Sequence, residues 1–492
     1  MTGAPLDLEA LEHFDDATLA ELRERLATCE FDASFVGRAE AIAPGQLDQV
    51  RLPAVRSWLR REGSPAAVLA RLFAYRDRVS FEELTSAVPV RIADALLAAG
   101  VLVASGPDLS SRLRLMPFEG TWVASDEMDA AGDPVMGPGA TTQQLARTMA
   151  VRPGDVVLDV GCGAGSLALA AAARGAVDVV GVDLMDRAVA WSRFNARLNG
   201  LHATFLAGDL VTPVADRRFD LVVSQPPYVI RADATETTTY LHGGRRGDEI
   251  ALRLLREAPR VLAPGGRLLV LFDSPVIPGR PVEQVVRVAL DGSGLQAFAV
   301  IAPGHSADVQ AIAYSSVRNP ALDAGYEASV LATLEHLHTL GIERSVHVLV
   351  FARRASEGET PLAVVLETDR ATRWDARAVD GLQRGAALAA SSDEALLSSA
   401  IAVSPHAWLV QEQALGPRRG HRLRVRFEDD RTPDFELSDG AAVLVEAAMQ
   451  ARVVRDVVKH YARAARAKPA AVQVRVLEFV RGALVSGLLI AG

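Results

Sequence analysis

The sequence predicts an α/β chain built on a Rossmann-like, doubly wound sheet, and three stretches carry that expectation. Val156 to Val160 is a short β-branched run suited to a strand buried on both faces. It leads into glycines at 161, 163 and 165 and then into Ser166 to Ala173, which reads as a helix. A second run, Asp178 to Val182, ends in Asp183, about twenty residues after the glycine turn, where a dinucleotide-type fold places a ribose-binding acid. Ala203 to Ala207, Phe219 to Val223 and Arg267 to Phe272 supply further strands, interleaved with helical stretches as a wound sheet requires.

Each element then has a chemical reading. Glycine at Gly161, Gly163 and Gly165 lets the backbone turn sharply and approach a ligand with no Cβ in the way. Asp159 would lie at the end of its strand, where a cationic cofactor can pair with it. Asp183 is placed to accept both hydroxyls of a ribose, although it also stands where it could cap the helix starting near Asp186. Gly208-Asp209-Leu210 follows the third strand and offers a carboxylate to an adenine amino group. The fourth strand runs into Ser224-Gln225-Pro226-Pro227-Tyr228.

At this point the chain resembles the class I methyltransferases, and more narrowly their Asn-Pro-Pro-Tyr branch. That branch includes release-factor glutamine methyltransferases, adenine-N6 DNA methyltransferases and several ribosomal and transfer RNA enzymes. Val135-Met-Gly-Pro-Gly-Ala-Thr-Thr142, Leu241-His-Gly-Gly-Arg-Arg-Gly247 and Leu262-Ala-Pro-Gly-Gly266 also have counterparts there, so the resemblance spans roughly residues 110 to 355. It implies a seven-stranded core that binds S-adenosyl-L-methionine through Thr141, Asp159, Gly161, Gly163, Gly165, Asp183, Leu184, Asp209, Leu210 and Gln225. It implies a catalytic set of Gln225, Pro226, Pro227 and Tyr228, with Tyr240 and His242 on a loop over the acceptor.

One position departs from the family, which usually has Asn where this chain has Gln225. In the family the Asn oxygen and the first proline's carbonyl accept hydrogen bonds from a planar NH2 group on which the aromatic ring stacks. Gln keeps the amide but moves its oxygen by roughly 1.5 Å, one bond length, and an offset near 1 Å can cost about a hundredfold in rate. Either the acceptor differs or the backbone compensates.

Composition sets limits. The chain has 492 residues, long enough for two or three domains. Acidic residues number 61 against 52 basic, a formal net charge of −9 that disfavours a broad nucleic-acid surface. Cys29 and Cys162 offer neither a disulfide framework nor zinc spacing. His336 and His338, two apart on a helix, face different ways and are not expected to share a metal. The start lacks the features of a secretory signal, and no apolar run reaches the roughly eighteen residues of a membrane span. The expectation is a reduced, cytoplasmic, non-membrane protein.

Three parts are expected: 1–110, 111–357 and 358–492. The first has helices at Thr18–Ala27, Pro53–Arg61 with its proline at the first position, Ala66–Phe73 and Ile92–Ala98, Ser80 as a helix cap, and a following strand pair, the outline of a winged helix. A helix near Glu327–Leu340, between the last two strands of the core, is a candidate lid. In the third part Leu423 to Phe427 alternates as a strand beside Arg418, Arg419, Arg422, Arg424 and Arg426, a solvated face balanced by Glu428, Asp429 and Asp430 or the seat of an anionic partner. Its end again has a winged-helix look. The expected function is methyl transfer to an amide or amine nitrogen of a protein, peptide or small metabolite. A base of RNA or DNA is an alternative acceptor; a cofactor-binding module without transferase activity is an alternative of another kind.

Overall fold

The computed structural model describes residues 6–12, 14–44, 48–127, 130, 132–230, 242–319, 321–355, 357, 361–367, 376–413, 421–428 and 435–492. Its centre is a sheet of eight strands, numbered here β1 (Val156–Val160), β2 (Asp178–Asp183), β3 (Thr204–Ala207), β4 (Phe219–Ser224), β5 (Leu262–Val276), β6 (Leu295–Ser306), β7 (Arg344–Arg354) and β8 (Leu362–Glu367). Their spatial order is β8-β6-β7-β5-β4-β1-β2-β3. The strands β1 to β5 run parallel, and β7 is antiparallel to both neighbours.

The expected seven strands therefore become eight. Leu362–Glu367 pairs in parallel with β6, so the sheet continues past the boundary placed at 357. Leu362 to Leu366 was not read as a strand of this sheet, because its partner lies more than sixty residues earlier in the chain.

Alternation along the strands buries both faces. Leu158, Val160, Val180, Val182, Val222 and Val270 pack on one side of the sheet. Val157, Val179, Leu221, Val223, Leu269 and Leu271 pack on the other. Helices α1 (Ala140–Thr148), α2 (Ser166–Ala173), α3 (Asp186–Asn199), α4 (Glu249–Glu257) and α5 (Val282–Leu290) surround the sheet. The stretch between β6 and β7 holds two helices, α6 (Ala307–Arg318) and α7 (Ala324–Thr339), where one was expected.

The N-terminal part shares its core with the sheet: Leu19, Leu26 and Phe73 belong to the same buried cluster as Val157 and Leu169. Polar bonds reinforce the seam. Trp122 Nε1 donates to Phe31 O at 2.7 Å, and Arg23 to Leu198 O at 3.1 Å. On α3, Asn195 and Asn199 bond both main-chain sides of the strand Thr121–Asp126, standing in for a neighbouring strand. The Ser80 cap is part of a capping box with Glu83.

Pro53 is not at a helix start. The helix spans Asp48–Glu62 with the proline inside, where a missing N–H forfeits one intrahelical bond. Ala66–Phe73 also differs: a short helix, Pro65–Leu69, widens into a π turn, Ala70–Ala74, from which the buried Arg71 reaches Asp77 at 3.0 Å and Arg78 O at 2.7 Å.

The C-terminal part has its own buried cluster, including Leu396, Val454, Val476 and Val480. Its strand His421–Phe427 pairs with Ala407–Gln413 and Phe435–Leu437. Arg422 and Arg424 lie 3.7 and 4.0 Å from Glu436 on the adjacent strand, so the balancing acid comes across the sheet. Arg418, Arg419, Asp429 and Asp430 lie outside the described residues. Among the described residues, no helix is long and apolar enough to cross a membrane.

Candidate active site

A cavity opens at the carboxyl edge of β1, β2 and β4, the position where wound sheets bind ligands. Asp159, Gly161, Gly163, Asp183, Leu184, Asp209, Leu210, Gln225 and Pro227 line it, together with Met136, Thr142 and Ile250. Thr141, Gly165, Pro226 and Tyr228 are not among the lining residues.

The turn after β1 has the conformation its glycines permit. Gly161, Gly163 and Gly165 have φ of 71°, 54° and 84°, a region L side chains enter only with strain. Helix α3 holds the turn from behind: Ser192 Oγ donates to Gly163 O at 2.8 Å, and Asn195 Nδ2 to Ala164 O at 2.9 Å. A Cβ on Gly165 would sit 3.0 Å from Ser192 Oγ. Gly165 therefore serves the packing of the turn, while Gly163 faces the cavity.

Two carboxylates stand at the strand ends. Asp183 accepts from Gly163 N at 2.8 Å and Met185 N at 3.0 Å. Burial nonetheless raises its pKa, against the pull of those main-chain donors. Asp159 is 1% exposed, and its Oδ2 accepts from Ala168 N at 2.9 Å. Its Oδ1 is buried with no hydrogen-bond partner among the described residues. Desolvation, with the nearby Asp183 charge adding to it, pushes the Asp159 carboxyl up to about 7. An orphaned buried carboxylate oxygen in a cavity wall is costly by itself and calls for a cation or donor.

Asp209 lines the cavity, but its carboxylate is engaged outward, with Arg253 donating to both oxygens at 3.1 and 2.7 Å. Leu184 is 63% exposed at the cavity rim. Leu210 adopts φ 47°, rare for a leucine.

Gln225 lies across the cavity. Its Nε2 donates to Thr141 Oγ1 at 2.7 Å, and Thr141 Oγ1 lies 3.3 Å from Tyr228 Oη. The hydroxyl of Thr141 thus ties the amide to the ring from α1. Gln225 Oε1 is left buried and without a partner among the described residues. Tyr228 stays a neutral phenol: burial first, then the Asp273 carboxylate, push it up to about 12.

The glycine-rich loop packs directly on this segment. His242–Gly244 pairs in parallel with Val229–Ile230. A Cβ on Gly243 would lie 2.4 Å from Pro227 O, so only glycine allows the two backbones to approach. His242 is half-buried opposite Val229, outside the cavity lining. Tyr240 lies outside the described residues.

A second polar group beside Tyr228 was not read from the sequence. Asp273 on β5 and His347 on β7 are register partners, with His347 Nδ1 2.6 Å from Asp273 Oδ1. The Asp273 hydrogen bond raises the His347 pKa against the effect of burial. Asp273 and Tyr228 together raise the phenol of Tyr314 on α6, after burial itself. The available signal was a polar residue set inside each apolar run, Leu271-Phe-Asp-Ser274 and Val346-His-Val348. Among the described residues no His, Cys, Asp and Glu group is arranged to hold a metal ion.

Residues 138–286 match the methyltransferase small domain family. The chain is 35% identical over 122 residues to a protein of Methanocaldococcus jannaschii named for N5-glutamine methyl transfer, covering 24% of this chain and 61% of that one. It is 38% identical over 124 residues to a release factor glutamine methyltransferase of Geobacter sulfurreducens, covering 23% and 44%. A ribosomal RNA small subunit methyltransferase C of Alcanivorax borkumensis is 38% identical over 122 residues, covering 25% and 33%. The chain thus spans about half the length of the relatives it matches.

Proposed function

From a central segment of the class I methyltransferase kind, with its small-domain and Asn-Pro-Pro-Tyr-type motifs, we infer that this chain transfers a methyl group from S-adenosylmethionine to the side-chain amide nitrogen of a protein glutamine. The observation that carries the reading is the Gln225 amide. Its nitrogen is spent on Thr141, so its oxygen is left as a buried, unpaired acceptor beside the cavity. That is the complement of an N–H on a planar acceptor.

The residues present fit the cofactor. The unpaired Asp159 Oδ1 suits the α-ammonium of its methionine end, the backbone at Gly161 and Gly163 leaves room for that end to pass, and Asp183 suits the ribose hydroxyls. Leu184 and Leu210 offer apolar cover to the base, while Asp209 reaches it only by sharing or releasing Arg253. When bound, the cofactor supplies an electrophilic methyl group on a cationic sulfur.

The chain's own residues then act on the acceptor. Gln225 Oε1 and the Pro226 carbonyl accept its two N–H bonds, turning the nitrogen lone pair toward the methyl group, and one of those N–H protons is lost to water as the amide gains the methyl. Neutral Tyr228, fixed through Thr141, presents a ring face for the planar amide to stack on. Longer Gln225 is accommodated because Thr141 holds it, so the side chain and α1 form one matched unit.

Residues 1–110, read as a winged-helix-like module, would face the acceptor. The last part, which we also read as winged-helix-like, is given no catalytic role. A cytoplasmic location suits a chain whose relatives are named for release factors and ribosomal components. The relative named for ribosomal RNA supports a second reading, a nucleic-acid base as acceptor, against which the net charge of −9 weighs.

Incubating the chain with methyl-tritiated cofactor and a lysate, with nuclease or with protease, separates the readings. Label lost to protease and resistant to nuclease is expected. Label lost to nuclease alone would replace the protein acceptor with a nucleic acid.

A further inference from the structure

A second cleft lies between the N-terminal part and α6, bordered by Arg51, Arg56, Arg76 and Arg114, by Val317 near the end of that helix and by Ala321 beyond it. Met136 lines both this cleft and the cofactor cavity. Tyr314, one turn back along α6 from Val317, is the residue electrostatically coupled to Tyr228. The cleft therefore adjoins the cofactor cavity at Met136.

Its charge runs against that of the chain. Among the described residues four arginines line it against two acids, Glu40 and Glu127, while the whole sequence is net −9. Glu40 pairs with Arg51, and Glu127 lies 3.3 Å from Arg76. Arg56 donates to main-chain carbonyls, Tyr75 O at 2.8 Å and Arg76 O at 2.7 Å; burial lowers its pKa, against the pull of the Asp77 and Glu127 carboxylates. Arg114 has no acid partner among the described residues, and its Nε is buried without a hydrogen bond. A half-closed cleft with uncancelled guanidinium charge attracts an anion more strongly than an open surface would, and guanidinium geometry suits carboxylate and phosphate.

We propose that this cleft is the subsite for an anionic group of the methyl acceptor, a carboxylate or a phosphate seated by Arg114 with the charge of Arg56 behind it, close to the nitrogen held at Gln225. This rests on the methyltransferase reading and adds a chemical requirement on the acceptor: it carries an anionic group near its target amide. On a protein acceptor that anion is an acidic or phosphorylated residue flanking the glutamine.

The test is calorimetric titration of the full chain, saturated with S-adenosylhomocysteine at low ionic strength, with succinate and separately with inorganic phosphate. The parent is expected to bind at least one of them. Arg114→Gln should weaken that binding about tenfold or more, the scale of a charge-assisted hydrogen bond, with S-adenosylhomocysteine affinity and melting temperature unchanged; Arg114→Lys should recover part of it. Preference for succinate assigns the subsite to a carboxylate, and preference for phosphate to a phosphorylated acceptor. If the parent binds neither anion, or Arg114→Gln binds as the parent does, the proposal is overturned. Failure of S-adenosylhomocysteine to bind would instead strike the methyltransferase reading.

Discussion

Asp159 makes cofactor binding depend on pH in a way that can be worked out beforehand. Its carboxyl is buried, lacks a partner on Oδ1 and is held up to about 7 instead of 3.8. A cationic cofactor end beside it favours the ionised form, so binding must expel the proton wherever the free protein holds one. At pH 6 about one molecule in ten carries the carboxylate, and each further unit down costs about tenfold in affinity, roughly 1.4 kcal/mol. Affinity for S-adenosylhomocysteine, which keeps the ammonium end, should therefore rise with pH up to about 7 and level off about one unit above. Titration calorimetry in two buffers of different protonation enthalpy reads both the slope and the released proton. Asp159→Asn, which keeps the shape, should bind weakly at all pH and lose the slope. Stability runs the opposite way: a carboxyl raised in the folded state favours folding at low pH and loses that advantage as pH rises from about 4 to about 7, so Asp159→Asn should melt higher than the parent at pH 8 without ligand. A parent affinity that is flat from pH 5.5 to 8, or a slope that survives in Asp159→Asn, would refute this reasoning.

Other expectations follow from the same geometry. Gln225→Ala should lower turnover about a hundredfold and leave cofactor affinity within a fewfold, because the amide positions the acceptor in the transition state; weakened cofactor binding of the same size would place the amide on the cofactor instead. Gly163→Val should lose cofactor binding and also destabilise the free protein by about 1–3 kcal/mol, since valine is strained at φ 54°; calorimetry and thermal melting read the two separately, and intact binding would remove Gly163 from the site. His347, raised by its bond to Asp273, contributes stability that is fully present below about 6.5 and lost as pH rises through its higher folded value. His347→Gln should flatten the melting temperature over that window, and an unchanged pH profile would show that the pair carries no charge.

What was legible in the sequence was whatever depends on neighbours in the chain. The run from Val156 to Ala173 specifies strand, turn and helix because glycine conformations and apolar alternation are local properties. Asp183 falls at the end of its strand for the same reason. What was not legible depends on distant partners. Nothing near Thr141 indicates that its hydroxyl will meet Gln225, 84 residues on, or that Asp209 will turn outward to Arg253. Asp273 and His347 are brought together only by the register of β5 on β7, and the eighth strand only by pairing with β6. Pro53 read as a helix start because proline favours that place, whereas here the helix runs through it.

The most direct test of the account is product analysis after transfer. Protein labelled by this chain with methyl-tritiated S-adenosylmethionine is digested enzymatically to amino acids, and the radioactive product is identified by chromatography and mass. The account predicts N5-methylglutamine, formed by the parent and reduced about a hundredfold with Gln225→Ala. Label recovered on an oxygen or carbon, or in a nucleoside, or formed equally by the Ala variant, would contradict it.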